Sequence, residues 1–162
     1  IIKISKKEVI KISKLVGSDV ILGLNPTNSI LSRNNELKRF NNCKKFYSLI
    51  VKPRFGCSTR EIYSKVKKFN KPKFNNPHSK MFNLDYLKKV ENSLEPIALS
   101  KYGKLSKIKS FLENLSKPSF VRMTGSGSAI VAYFQSKHRC ENAKKIFHKK
   151  YKNFWCIISK TI

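Results

Sequence analysis

A short segment rich in glycine and serine, TGSGS at residues 124–128, combines residues that could bind a phosphate. Gly125 and Gly127 can adopt positive φ and let another group approach the backbone closely. Successive N–H groups in such a turn can form a concave anion site. The flanking segments SFVRMT and AIVAYF each predict a strand, so the pattern favours the alternative of a hairpin turn. A Walker phosphate loop and a dinucleotide fingerprint are excluded, because no GK[ST] follows and the next element is a strand.

The chain has only two aspartates, and one of them is placed where it could act as a base. Asp19 follows the end of a predicted helix and precedes a predicted strand, a position from which a carboxylate can face a cleft and activate a hydroxyl. The alternative is a turn aspartate that bonds its own backbone. Asp85 lies near Asn83, which is typical of the first turn of a helix and indicates a role in stability.

The segment CSTREIY, residues 57–63, joins a predicted strand to a predicted helix. Ser58 and Glu61 have the spacing of a capping box, so Ser58 and Thr59 can simply cap the helix. Tyr63 lies about 100° around the helix from the apolar Ile62, at the edge of the buried face. Its ring could stack on a flat ligand, or it could be an ordinary surface tyrosine.

Apolar periodicity and turn residues predict the elements that would position these side chains. The first helix begins at the capping box of Ser5 and Glu8 and ends at Gly17 as a left-handed cap. The strands are predicted at 18–24, 28–33, 46–51, 119–124, 129–134 and 154–159, and the other helices at 58–69, 84–101 with a break near Pro96, 104–115 and 141–151. Residues 70–80 are predicted to form a surface loop.

The order of these elements indicates the fold class. From residue 46 the chain runs strand, helices, strand, strand, helix, strand, which predicts an α+β, ferredoxin-like split βαβ sandwich. We expect two parts, one at 1–42 and one at 43–162. At 162 residues the chain is long enough for a real core.

The composition adds a strong positive charge. Lys and Arg number 35 against 9 Asp and Glu, which gives a formal net charge of +26. Such a charge suits a polyanion, so a basic RNA-binding module on a ferredoxin-like sheet is one alternative function. However, the lysines are spread along the whole chain and only 6 of the 35 cations are Arg. Lys, Ile and Asn all have A/T-rich codons, so genome base composition is an alternative source of the charge. We therefore expect no nucleic-acid partner.

The cysteines and apolar segments exclude several other classes. Cys43, Cys57, Cys140 and Cys156 form no CxxC pair, and the three histidines are not at ligand spacing from them, so no metal site is expected. No apolar stretch approaches the roughly 18 residues of a membrane span, and no signal peptide opens the chain. We expect a cytoplasmic protein without a membrane segment.

Four segments, taken together in their order, resemble the GHMP family of small-molecule kinases. LVGSDVILGL at 15–24 is similar to the family's L-G-A-D-V-P-F-F segment, and VKPRFGCSTREIY at 51–63 to V-x-P-x-x-x-V-S-T-x-x-x-[YF]. ENSLEPIAL at 91–99 is similar to N-D-L-E-x-x-A, and RMTGSGSAIVAYF at 122–134 to the third family motif, R-M-[ST]-G-S-G-x-x-x-F. The resemblance covers nearly the whole chain, and it implies that 43–162 is the C-terminal domain of such a kinase and 1–42 the end of its N-terminal domain.

The resemblance also implies roles for individual residues. Asp19 would be the catalytic aspartate that activates the substrate hydroxyl for attack on the γ-phosphate of ATP. Gly125, Ser126 and Gly127 would form the cofactor-binding turn, which lies against the active site and supports the loop that binds the nucleotide phosphates. Phosphoryl transfer needs mainly positioning and charge neutralisation, so these are the expected parts.

The segment around Thr59 and Tyr63 resembles most closely the family members that phosphorylate cytidine diphosphate methylerythritol. Tyr63 would stack on the cytosine of this substrate, and Thr59 would belong to the same substrate-binding site. The implied reaction is phosphorylation of the 2-hydroxyl by ATP with Mg²⁺, a step of non-mevalonate isoprenoid precursor synthesis. Another small-molecule kinase of the family is the alternative.

The sequence departs from the family pattern in a few places. Ser18, Ile21 and Ser93 replace the usual Ala, Pro and Asp, which leaves the aspartate assignment in place. The chain starts at Ile1, and the family's glycine-rich ATP loop and N-terminal lysine have no counterpart in it. We therefore expect a fragment with little or no kinase activity by itself; its oligomeric state is not predicted.

Overall fold

The computed structural model describes residues 4–17, 20–32, 36–68, 71 and 73–162. The chain divides into two compact units. The first comprises Ile1–Cys43, Lys71–Met81 and Ile162, and the second comprises Lys44–Asn70 and Phe82–Thr161. Among the described residues, no helix is long and apolar enough to span a membrane.

The first unit begins with helix α1, Lys6–Val16. The predicted capping box is confirmed: Ser5 N donates to Glu8 Oε2 at 2.8 Å, and Glu8 N donates to Ser5 Oγ at 3.3 Å. The predicted left-handed cap at Gly17 is wrong, because this residue has φ 165°, which is extended backbone.

The rest of the first unit departs from prediction at Val20–Gly23 and at Leu37–Phe40, where no strand was predicted. The strand predicted at 18–24 is wrong where the structure describes it, since Val20–Gly23 forms a single helical turn, α2. A short apolar run does not distinguish strand from helix by its periodicity, which explains the error. The strand predicted at 28–33 is confirmed over its first four residues: β1, Asn28–Leu31, pairs antiparallel with β2, Leu37–Phe40.

The second unit contains the larger sheet and most of the helices. In chain order its elements are β3 Tyr47–Lys52, α3 Thr59–Ser64, α4 Leu84–Lys89, α5 Glu95–Lys101, α6 Gly103–Glu113, β4 Phe120–Met123, β5 Ile130–Phe134, α7 Lys137–Lys150 and β6 Trp155–Lys160. A 3-10 turn at Ser79–Phe82 separates α3 from α4 in the chain, and its residues up to Met81 belong to the first unit.

The sheet order is β4-β5-β3-β6, and every neighbouring pair is antiparallel. Strands β3 and β4 both run antiparallel to β5 between them, so they are parallel to each other and form a split βαβ unit. The predicted ferredoxin-like fold is confirmed.

Three helix predictions need correction. The helix predicted at 58–69 ends at Ser64, so Val66 lies beyond it, and Phe69 is outside the described residues. The break predicted near Pro96 lies earlier, at 90–94, because proline fits the first turn of a helix, where its missing N–H costs nothing. Helix α7 starts at Lys137, four residues before the predicted start.

Helices α6 and α7 pack on one face of the sheet and form the core with it. Phe134, on β5, is buried in this core, whereas the adjacent Tyr133 lies on the other face and stacks on Phe120 with ring centroids 4.4 Å apart. Neighbouring residues of a strand point to opposite faces, as predicted for this pair. On that second face, Trp155 of the edge strand β6 is 55% exposed.

Candidate active site

The glycine-rich segment forms the turn that joins β4 to β5, so the predicted hairpin turn is confirmed. Thr124 N donates to Ala129 O at 3.0 Å, and Gly127 N donates to Thr124 O at 3.0 Å. Both glycines have positive φ, 54° at Gly125 and 91° at Gly127. A side chain at Gly125 would meet nothing within 4 Å, so only the backbone conformation requires glycine there.

Gly127 is constrained by its neighbours as well as by its backbone. A Cβ at this position would lie 2.9 Å from Met123 Sδ and 3.0 Å from Cys57 Sγ. Burial raises the pKa of the Cys57 thiol, although the charge of Lys101 acts in the opposite direction. The backbone of the turn therefore fits closely against the end of β4 and the loop before α3.

The turn offers backbone donors to a ligand. Among the described residues, none accepts a hydrogen bond from the N–H groups of Gly125, Ser126 or Ser128. Gly125 is exposed and Ser126 is partly exposed. Adjacent free N–H groups in a turn with left-handed glycines are suited to an anion.

The segment between α4 and α5 binds the turn from one side. Asn92 Nδ2 donates to Met123 O at 2.9 Å and to Gly125 O at 2.7 Å. The Glu95 carboxylate accepts the N–H of Met123 at 2.5 Å and lies 3.5 Å from Lys109 Nζ. Burial lowers the pKa of Lys109, but hydrogen bonding to Glu113 and the charge of Glu95 outweigh this effect and raise it.

The loop after β3 binds the turn from the other side. Ser128 is buried, and its hydroxyl donates to Phe55 O at 2.6 Å. The hydroxyls of Thr59 and Ser126 are 2.8 Å apart and share a hydrogen bond. The predicted substrate residue Thr59 and the predicted turn residue Ser126 are therefore in direct contact.

Helix α3 presents the predicted aromatic residue. Thr59 and Tyr63 are four residues apart on this helix, so they lie on the same face. The Tyr63 side chain is 54% exposed, and its ring is available to a ligand. Ser58 caps the helix as expected, since its hydroxyl accepts the N–H of Glu61 at 3.3 Å.

The second capping box is only half formed, because the Glu61 carboxylate contacts Lys101 on α5 instead. This hydrogen bond and the charge of Lys101 hold the pKa of Glu61 below its ordinary value. The same contact raises the pKa of Lys101. The ion pair links α3, and with it Thr59 and Tyr63, to α5.

Asp19, the predicted catalytic aspartate, lies outside the described residues, as does Ser18. Within the described ranges, no group of three or more His, Cys, Asp or Glu side chains could hold a metal ion.

Two curated proteins similar to this chain carry the same name. A 4-diphosphocytidyl-2-C-methyl-D-erythritol kinase from Pelagibacter ubique is 53% identical over 162 residues, which is all of this chain and 58% of the relative. The kinase of the same name from Clostridium tetani is 32% identical over 168 residues, covering 98% of this chain and 58% of the relative. This chain is a homologue of the C-terminal part of these kinases. It spans 58% of the length of these two curated relatives.

Solved structures agree on the fold. A crystal structure of 4-(cytidine 5'-diphospho)-2C-methyl-D-erythritol kinase matches with a TM-score of 0.74 at 18% identity, over 93% of this chain and 56% of the other. The homoserine kinase from Cytophaga hutchinsonii matches with a TM-score of 0.67 at 11% identity, over 99% of this chain and 58% of the other. The predicted resemblance to GHMP kinases is confirmed. No protein-family profile matches the sequence.

Sequence reasoning assigned no role to Asn92 or Glu95, although both lie in a segment that carries the family resemblance. The signal was present as an Asn three residues before a Glu at the start of a helix. Nothing in that spacing indicates that both side chains reach the end of a strand about 30 residues away.

Proposed function

We propose that this chain is the C-terminal part of a kinase that transfers a phosphoryl group from ATP to the 2-hydroxyl of 4-diphosphocytidyl-2-C-methyl-D-erythritol. The contact between Thr59 and Ser126 carries this proposal, because it joins the two segments implied to bind substrate and nucleotide. The homologous kinases named for this substrate support it. The pathway is then isoprenoid precursor synthesis, and residues 43–162 and 1–42 belong to the C-terminal and N-terminal domains.

The substrate end of the site is assigned to α3. Tyr63 offers an exposed ring for stacking on cytosine, and Thr59 lies one helical turn before it. The ion pair between Glu61 and Lys101 supports the helix from its side. An aromatic ring fixed on a short, anchored helix can orient a flat base at low cost in conformational entropy.

The nucleotide end is assigned to Gly125, Ser126 and Gly127. The free N–H groups and positive φ angles of this turn fit an anionic phosphate. ATP supplies the phosphoryl group that is transferred. With ATP bound there, the N–H groups of the turn would neutralise phosphate charge without having to reorganise. Phosphoryl transfer needs this contribution most from a protein.

Asp19 is proposed as the base that holds the proton of the substrate hydroxyl. Mg²⁺ is proposed only as the companion of ATP, because the described residues include no carboxylate cluster that would bind it. We also propose the cytoplasm as the compartment, supported by four cysteines that are all free thiols.

A direct test is an ATP-consumption assay on the full-length natural protein that contains this chain, with the cytidyl methylerythritol substrate. We expect turnover that falls at least about a hundredfold in Asp19→Asn, the usual scale for losing a general base. Asp85→Asn is the matched control, because Asp85 is the other aspartate among these 162 residues and lies exposed in the first turn of α4. Turnover that survives in Asp19→Asn would refute the assignment of the base.

The same assay separates the alternatives. Homoserine, offered in place of the cytidyl substrate, tests the homoserine kinase activity that the second structural neighbour's name suggests. RNA binding through the lysines would weaken steeply between low and moderate salt. Salt-sensitive RNA binding in a protein without kinase turnover would refute the proposal and favour the basic binding module.

A further inference from the structure

We propose that Asn92 is a positioning residue for the nucleotide phosphates: it orients the peptide between Gly125 and Ser126 so that the Ser126 N–H faces the ligand. This inference rests on the proposed function, since the ligand it names is the phosphate of ATP. The evidence is the geometry of the hydrogen bonds between the segment at 92–95 and the glycine turn.

The Asn92 side chain makes three hydrogen bonds, and only one of the two possible orientations of its amide allows all three. Its Nδ2 donates to two carbonyls, Met123 O at 2.9 Å and Gly125 O at 2.7 Å. Its Oδ1 accepts the N–H of Leu94 at 3.0 Å. A rotated amide would place oxygen against two carbonyls, so the network fixes which end faces the turn.

The segment at 92–95 binds both backbone groups of Met123, the last residue of the edge strand β4. Glu95 accepts its N–H, and Asn92 donates to its carbonyl. Two side chains thus replace the hydrogen bonds that a neighbouring strand would make. The Glu95 carboxylate is only 17% exposed and is itself held near Lys109, so this end of the strand is fixed before the turn begins.

The second bond of Asn92 determines the direction of the next peptide. In a planar trans peptide the C=O and the following N–H point in opposite directions. The carbonyl of Gly125 points at Asn92, so the N–H of Ser126 points away from it. This N–H has no acceptor among the described residues, and the Ser126 hydroxyl is held by Thr59. The structure therefore fixes one backbone donor in an outward orientation.

The test compares two variants of Asn92 with matched variants of Asn114 in the full-length natural protein. Asn92→Asp keeps the acceptor for Leu94 N–H but removes both N–H donors and adds a charge. Asn92→Ser adds no charge, and its single, shorter hydroxyl can donate to at most one of the two carbonyls. Asn114 supplies the control, because its amide donates to Ser110 O at the end of α6 and has no part in the turn. Asn114→Asp and Asn114→Ser therefore make the same chemical changes elsewhere in the unit.

Two readouts are needed. Without ligand, amide hydrogen exchange of the segment 120–134 should be about tenfold faster in both Asn92 variants, the effect of losing hydrogen bonds worth about 1.4 kcal/mol. The Kd for MgATP, measured by calorimetry, should rise about tenfold in both, while the KM for the cytidyl substrate stays unchanged. The Asn114 variants should match the wild type in both measurements.

The outcomes separate this inference from the proposed function. Unchanged exchange in Asn92→Ser would refute the orienting role, and faster exchange with an unchanged Kd for MgATP would refute its link to phosphate binding. A rise confined to Asn92→Asp would show an effect of charge alone and also overturn it. A wild-type protein that binds no MgATP would refute the proposed nucleotide site itself, and the exchange measurement would still decide whether Asn92 orients the turn.

Discussion

Replacing each glycine of the turn by alanine separates the requirement for backbone conformation from the requirement for space. Both residues have positive φ, so Ala at either position takes a conformation that costs about 1–2 kcal/mol. Part of this cost is offset, by about 0.4–1 kcal/mol, because alanine also restricts the unfolded chain. Gly125→Ala meets no atom within 4 Å, so its net loss should be about 1 kcal/mol.

Gly127→Ala adds a steric cost. Its Cβ would lie 2.9 Å from Met123 Sδ and 3.0 Å from Cys57 Sγ, and Met123 is fully buried and cannot easily move away. Overpacking of this kind costs about 1–3 kcal/mol. The net loss should therefore be about 3 kcal/mol, some 2 kcal/mol more than for Gly125→Ala.

Equilibrium urea unfolding of the 162-residue chain measures this difference. The single tryptophan, Trp155, lies on β6 of the same unit, so its fluorescence reports on the unit that contains the turn. With a slope of about 2 kcal/mol per M, the midpoint should fall by about 1.5 M for Gly127→Ala and about 0.5 M for Gly125→Ala. Equal midpoints for the two variants would refute the packing argument at Gly127.

Three further predictions use the same chain. Glu61→Gln should lower the urea midpoint at pH 7 but not at about pH 3. The contact with Lys101 lowers the pKa of Glu61 in the folded protein. The ion pair therefore stabilises the fold above the ordinary glutamate pKa, and this stabilisation is lost as the pH falls through the lowered pKa. An equal difference at both pH values would contradict the ion pair. Burial raises the pKa of the Cys140 thiol to about 11, so peptide mapping after iodoacetamide treatment at pH 8 should show Cys43 modified well before Cys140, and equal rates would contradict the burial. Leu112→Ala should cost about 2–5 kcal/mol in urea unfolding and Leu15→Ala less than about 0.5 kcal/mol, because their side chains are 0% and 80% exposed; similar losses would contradict this core assignment.

Local signals in the sequence predicted local structure well. The capping box at Ser5 and Glu8 formed as its spacing indicates, because both hydrogen bonds lie within one helical turn. Alternation placed Tyr133 and Phe134 on opposite faces of the sheet. The errors came where one pattern suits two structures: the apolar run at 20–23 forms a helical turn, and Pro96 lies in the first turn of α5 where a break was expected.

The candidate site shows where sequence reasoning reaches its limit. The glycines indicated a turn with positive φ, and the family resemblance implied its role, but neither identifies what holds the turn in place. The contacts that do so come from Thr59, Asn92, Glu95 and Phe55, which lie 28–73 residues away in the chain. Only the antiparallel sheet and the placement of α3 and α5 bring them to one end of β4.

This dependence also explains why the choice between a hairpin turn and a phosphate-binding turn could not be made from the motif. Two glycines in a hairpin are free to present their N–H groups in several directions, and an anion site needs one direction fixed in advance. The amide of Asn92 supplies that restriction through the carbonyl of Gly125, and the hydroxyl of Thr59 holds the side chain of Ser126. By their backbone hydrogen bonds, residues 124–128 are thus an ordinary connection between two strands. Their hydrogen bonds to distant side chains make the same turn a preorganised donor.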